Sequence, residues 1–148
     1  HAIVRYLAAQ YGDGSLWPSY PAARSTADMW MEWAQTVLQH GFIQLFWNLY
    51  RTPVEHHDHA LLADLTAKCA DNFTQLNRVL GKQPFITGDQ LTYGDIPIAT
   101  QFYRYFTLDI ERPSVPNVEA WYERLTKNAA YAEHVMVPYE DLRATIVP

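Results

Sequence analysis

The sequence reads as an all-α protein, and three observations say so. Apolar residues recur at spacings of three and four through every long segment, and no segment alternates with the period of a half-buried strand. The third is the stretch Leu91-Thr92-Tyr93-Gly94-Asp95-Ile96-Pro97-Ile98-Ala99, which spells a helix start with reciprocal caps. There Thr92 is expected at the N-cap and Asp95 at N3. The Thr92 hydroxyl would accept from the Asp95 backbone N–H, and the carboxylate would reach back to the Thr92 N–H. Leu91 and Ile96 would clasp as a hydrophobic staple. The helix that follows, as far as Phe106, should be buried on nearly every side. Pro97 lacks the N–H that would bond back to Tyr93, so a slight bend is expected in the second turn.

The remaining elements follow in chain order. His1 to Tyr11 carries a helical apolar pattern with Ile3, Tyr6, Leu7 and Gln10 on one face, and Gly12-Asp13-Gly14 ends it. This helix has neither an initiator Met nor a cap of its own and reads as cut from a longer protein, the rest of which would hold its packing partner. The segment from Ser15 to Ala22, with Pro18 and Pro21 around Trp17 and Tyr20, reads as an extended connector. From about Arg24 to Tyr50 a long helix places Met31, Ala34, Val37, Leu38, Phe42, Leu45 and Leu49 inward, with a kink most readily at Gly41. Its polar stripe is Asp28, Glu32, Gln35, Thr36 and Gln39, either merely solvated or lining a cleft or dimer surface.

Thr52-Pro53 breaks this pattern, and the next helix is expected to begin within Val54 to His59. The histidines there invite a metal reading, but only His56 and His59 would share a helix face, and two ligands make a poor site. No metal centre is expected. Leu61, Leu62, Leu65, Cys69, Phe73, Leu76 and Leu80 continue as a helical stripe ended by Gly81. On that stripe Cys69 is most simply a small buried hydrophobe. Residues 84–90 form a loop into the capping box, 109–115 a second loop, and 116–125 a short amphipathic helix. A last helical piece over 129–135 precedes a tail with Pro138 and Pro148.

Length and composition bound the function. The chain has 148 residues, enough for one domain with a substantial core. A net charge of −5 without any basic run argues against nucleic acid as a partner. The single cysteine excludes an intrachain disulfide framework. No apolar run approaches the roughly 20 residues of a membrane span, and no signal-peptide pattern is present, so the expectation is a soluble, cytoplasmic protein.

The order of these parts resembles the C-terminal helical domain of cytosolic glutathione transferases, most like the bacterial and theta/delta-like branches. The residues that carry the resemblance are His1-Ala2-Ile3-Val4-Arg5-Tyr6-Leu7, the connector with Leu16-Trp17-Pro18, Asp28-Met29-Trp30-Met31-Glu32-Trp33, the box from Phe85 to Ile96, and Pro116 to Leu125. Gly94 departs from the family pattern, which usually has Ala there. The resemblance implies a helical bundle over residues 23–148, a linker over 12–22, and, in 1–11, the last helix of an otherwise absent thioredoxin-like domain. That absent part would carry the catalytic Ser, Tyr or Cys and most of the glutathione site, so no catalytic residue is expected in this chain.

The same resemblance implies glutathione as co-substrate and a small electrophile as second substrate. His1 matches a position that approaches the tripeptide in related classes. Asp28 matches a position whose side chain reaches a glutathione bound by the partner subunit. Glu32, Gln35, Thr36 and Gln39 fall where the family builds its electrophile pocket, with more polar character than usual. Arg51 and Arg104 could bind carboxylates or serve as exposed salt-bridging groups, and Arg104 is counted with the pocket. A homodimer is implied, with conjugation of the glutathione thiolate to an electrophile as the activity. A non-catalytic scaffold of the same fold, or a glutathione-dependent disulfide reductase or isomerase, is the alternative.

Overall fold

Among the described residues seven α-helices realise the spacing described above: α1 (Ala2–Tyr11), α2 (Pro21–Trp33), α3 (Gln39–Tyr50), α4 (His59–Leu80), α5 (Ile96–Thr107), α6 (Pro116–Thr126) and α7 (Ala129–His134). The structure, a computed structural model, describes residues 1–12 and 14–144. Asp13 of the glycine-flanked stop and Pro148 of the tail lie outside the described residues. No strand occurs among the described residues, only a single bridge between Phe85 and Gly88 in the loop before α5.

The core forms around α5, whose Ile98, Ala99, Phe102 and Tyr105 are buried. Tyr105 stacks on Phe73 of α4 with ring centroids 3.6 Å apart, and Phe102 meets Trp121 of α6 edge-on at 4.9 Å. Buried aromatics in such pairs add about 0.5–1.5 kcal/mol beyond the area they remove from water. Two side-chain anchors then set the outer helices. Asn77 Oδ1 of α4 accepts from the Asn117 backbone N–H at 2.8 Å, capping α6 from another helix. The Tyr131 hydroxyl of α7 donates to the Ala99 carbonyl at 2.8 Å.

Between α2 and α3 the helix does not kink at Gly41. It continues through one wide π turn, Ala34–Leu38. A π turn holds an extra residue, so the helix beyond it is rotated relative to the helix before it. That rotation leaves Val37, expected inside, 40% exposed, whereas Met31, Ala34, Leu38, Phe42 and Leu45 are buried as their spacing requires. In α1 the apolar set Ile3, Tyr6 and Leu7 faces outward at 74%, 61% and 48% exposure, and the chain's own body meets Ala8 and Val4 instead.

The helix start at Thr92 needs correction. Helix α5 begins at Ile96, with Asp95 at its N-cap position, so the Thr92-to-Asp95 segment is a turn preceding the helix. The Asp95 carboxylate does accept from the Thr92 backbone N–H at 3.0 Å. The Thr92 hydroxyl, however, accepts from Gly94 N–H at 3.2 Å, because the Asp95 N–H is taken by the Thr92 carbonyl at 3.1 Å. With the helix starting later, Pro97 falls in the first turn, where its missing N–H breaks no bond, and the expected bend has no cause. Both residues are buried, Asp95 at 0% and Thr92 at 8% exposure.

Gly94 also has its reason here. A Cβ at that position would lie 2.7 Å from the Ala27 Cα and 2.8 Å from its carbonyl oxygen, so only glycine lets this turn approach α2 so closely. Next to it, Tyr93 stacks on Trp17 at 4.9 Å, and its backbone N–H donates to the Leu16 carbonyl at 3.0 Å. The connector is thereby pinned to α2 and α5.

Candidate functional site

The start of α1, α3, α5 and the segment after α7 enclose a cleft of about 700 Å³. From the candidates read in the sequence it gathers His1, Gln39 and Arg104, joined by Phe42, Gln101 and Tyr139. Gln101 and Arg104 are one turn apart on α5 and so share a face. The tail is tied down by Tyr139, whose hydroxyl pairs with Thr107 Oγ1 at 2.7 Å and whose ring meets Phe46 edge-on at 5.5 Å. Burial pushes the Tyr139 phenol above its ordinary pKa, so at neutral pH it remains a neutral hydrogen-bonding group.

The cleft is lined by polar groups that the described residues do not satisfy. His1 Nδ1 and Gln101 Oε1 are buried without hydrogen-bond partners. The Arg104 guanidinium rests over the rings of Phe46 and Tyr139 at 5.2 and 5.7 Å.

Glu32, Gln35 and Thr36 lie outside this cleft. The physical reason is the π turn. Eleven residues of regular helix return almost to the same angular position, about 20° off, so Asp28 and Gln39 would share a face in an unbroken helix. The π turn rotates them apart. Gln35 and Thr36 are exposed, the Thr36 hydroxyl donating to the Glu32 carbonyl at 2.7 Å.

Asp28 and Glu32 instead face α1. Arg5 Nε donates to Asp28 Oδ1 and Arg5 Nη2 to Glu32 Oε1, both at 2.6 Å. The hydrogen bonds to Glu32 and then Asp28 raise the Arg5 pKa. With Asp28 45% and Glu32 58% exposed, each pair contributes at most about 1 kcal/mol to stability. Tyr93 lies beside this cluster, its hydroxyl donating to the Arg24 carbonyl at 2.9 Å. Burial first, and then Asp28, push its pKa up to about 12.

The remaining candidates are not brought together. Val54–His56 forms a short 3-10 turn, and His59 begins α4 after the Asp58 cap, so His56 and His59 do not share a helix. Among the described residues no group of three metal-capable side chains occurs. Arg51 is exposed over the Trp47 ring at 4.5 Å. Cys69 is fully buried, and burial pushes its pKa up to about 11, far from a reactive thiolate.

The sequence pattern described as "Glutathione S-transferase, C-terminal domain" matches residues 59–124. The fold aligns with the theta class glutathione S-transferase of the citrus canker pathogen Xanthomonas axonopodis pv. citri, determined with glutathione bound. The TM-score is 0.89 at 39% identity, over 93% of this chain and 72% of that one. The chain belongs to the glutathione S-transferase family.

Two curated relatives agree. Glutathione S-transferase GstB of Escherichia coli (strain K12) is 38% identical over 138 residues, covering 93% of this chain and 66% of the relative. Glutathione S-transferase D6 of Drosophila melanogaster is 31% identical over 127 residues, covering 85% and 57%. The chain thus spans just under two thirds of the length of the E. coli relative. Among the described residues the architecture is helical, and no helix there is long and apolar enough to cross a membrane.

Sequence reasoning missed Gln101 and Tyr139. Gln101 carried a usable signal, its i to i+3 relation to Arg104 on α5. Tyr139 carried none, since it reaches the cleft through the return of an irregular tail.

Proposed function

We propose that this chain is the electrophile-binding part of a glutathione transferase, and that the cleft between α1, α3 and α5 receives the second substrate beside glutathione. The convergence of His1, Gln39 and Arg104 in that cleft carries the reading. The unspent Nδ1 of His1 suits a polar ligand such as the tripeptide at the α1 end.

The reaction follows from the chemistry of a thiol. A thiolate, stabilised by hydrogen bonds to its charged form, attacks an electrophilic carbon. A C–S bond forms, the leaving group departs with its bonding electron pair, and the thiol proton passes to solvent. The contribution of these residues is to hold the electrophile in reach and out of water. Asp28 retains one carboxylate oxygen beyond its bond to Arg5, which suits it to the ammonium of a glutathione on a partner subunit. The reading includes a cytoplasmic homodimer with a detoxifying role.

The test is to assay the full-length protein with glutathione and 1-chloro-2,4-dinitrobenzene, following the conjugate by absorbance. Saturable turnover above the uncatalysed rate is expected, and its absence across aryl and alkyl halides would overturn the transferase reading. Elution of the purified protein as a monomer at micromolar concentration would overturn the dimer.

A further inference from the structure

Arginines that are partly withdrawn from water normally place their N–H groups on acceptors, since a guanidinium carries five donors. Among the described residues three arginines are half-buried: Arg5, Arg24 and Arg104. Arg5 is bound to the Asp28 and Glu32 carboxylates. Arg24 donates to the carbonyls of Pro18 and Ser19, both at 2.9 Å. Arg104 makes no such hydrogen bond or ion pair with any described residue. It is held through its flat face by Phe46 and Tyr139, which leaves its N–H edge unused.

This unspent edge belongs to a residue that lines the cleft. The acidic residue on the same wall, Asp141, is exposed and stands beyond ion-pair distance of it. His134, also on that wall, lies 3.9 Å from the exposed Glu133. One turn before Arg104, Gln101 Oε1 likewise has no partner. A purely apolar ligand would leave the guanidinium edge uncompensated, whereas a carboxylate matches it in a bidentate pair; the Gln101 oxygen, itself an acceptor, calls for a donor elsewhere on the ligand.

Resting on the transferase reading above, we propose that the preferred second substrate is an electrophile carrying a carboxylate, which Arg104 binds in this cleft. Arg104 is a specificity-determining residue. It fixes the end of the substrate away from the reacting carbon and takes no part in bond making.

The experiment compares two aryl chlorides with the full-length protein and glutathione: neutral 1-chloro-2,4-dinitrobenzene and 4-chloro-3,5-dinitrobenzoate. In both, the thiolate adds at the carbon bearing chlorine and chloride leaves with the bonding pair. The readout is the ratio of kcat/KM for the carboxylate to that for the neutral chloride, which cancels any general loss of activity. Arg104→Met should lower this ratio about 10- to 100-fold, the range of a charge-assisted hydrogen-bonded pair. Arg104→Lys should restore part of it, and Arg51→Met, which removes the same charge from the Trp47 side, should leave it unchanged. An unaltered ratio in Arg104→Met would overturn the proposal while leaving the transferase reading in place. If neither chloride turns over, no ratio can be formed, and binding of unreactive 3,5-dinitrobenzoate by tryptophan quenching decides the matter. A Kd weakened at least 10-fold by Arg104→Met supports the arginine site, and an equal Kd overturns it.

Discussion

Replacing Asp95 with alanine probes the joint on which the bundle closes. Its carboxylate accepts from the backbone N–H of Ile86 at 2.8 Å and of Thr92 at 3.0 Å, and from the Thr87 hydroxyl at 3.0 Å. The Thr87 and Thr92 hydroxyls lie 2.8 Å apart and can pair with each other once the carboxylate is gone. The two backbone donors have no such recourse at a residue with no solvent exposure. Leaving each unsatisfied costs about 1–3 kcal/mol. Burial already disfavours the ionised carboxyl, so removing it returns part of that loss, and the net expectation is about 3 kcal/mol. Urea unfolding of the full-length protein, followed by tryptophan fluorescence, should show the midpoint falling by about 1.5 M for an m-value of about 2 kcal/mol/M. Thr92→Ala, which orphans only the Gly94 N–H, should cost about 1 kcal/mol. Asp95→Asn should rescue less than half of the alanine loss, because its amide NH₂ meets donors rather than acceptors. An Asp95→Ala loss no larger than that of Thr92→Ala would refute this account of the joint.

Three further outcomes are expected. Gly94→Ala drives a Cβ against the Ala27 backbone at 2.7 Å and should cost about 1–3 kcal/mol in the same urea assay; full stability would show that α2 yields freely. Burial raises the Asp95 pKa, so the proton-linked part of its stabilising contribution is complete below its unfolded value of about 3.9 and is lost as pH rises through the folded value, while the hydrogen bonds to the backbone remain. The stability gap between wild type and Asp95→Asn should therefore narrow as pH is raised from about 4, and a gap that widens would contradict the assigned cause. Cys69, fully buried with its pKa pushed up to about 11, should resist Ellman's reagent at pH 8 in the native protein and react within minutes in urea; rapid native labelling would refute its burial.

Much of this fold was legible in the sequence. The stripe Leu65, Cys69, Phe73, Leu76 and Leu80 is buried along α4 as its spacing requires, because helical periodicity and burial are the same physical fact seen from two sides. The carboxylate of Asp95 reaching back to Thr92 was legible too, a local bond set by three residues of chain. The lining of the cleft was legible only in part. His1, Gln39 and Arg104 were on the page, but so were Glu32, Gln35 and Thr36, and no local signal separated them.

What the sequence by itself determined is whatever depends on near neighbours: helix content, the apolar stripe of α4, the inert environment of Cys69 and the bond from the Thr92 N–H to the Asp95 carboxylate. Tertiary structure alone decided where α5 begins, because the Asp95 carboxylate answers to Ile86 and Thr87 across the loop as well as to Thr92. It also decided that Gly94 is needed against Ala27, and that the π turn at Ala34–Leu38 sends Asp28 and Glu32 to Arg5 but Gln39 to the cleft. The reason is common to all three. A helix's angular register and a turn's available space are set by what packs against them, and those contacts join residues far apart along the chain.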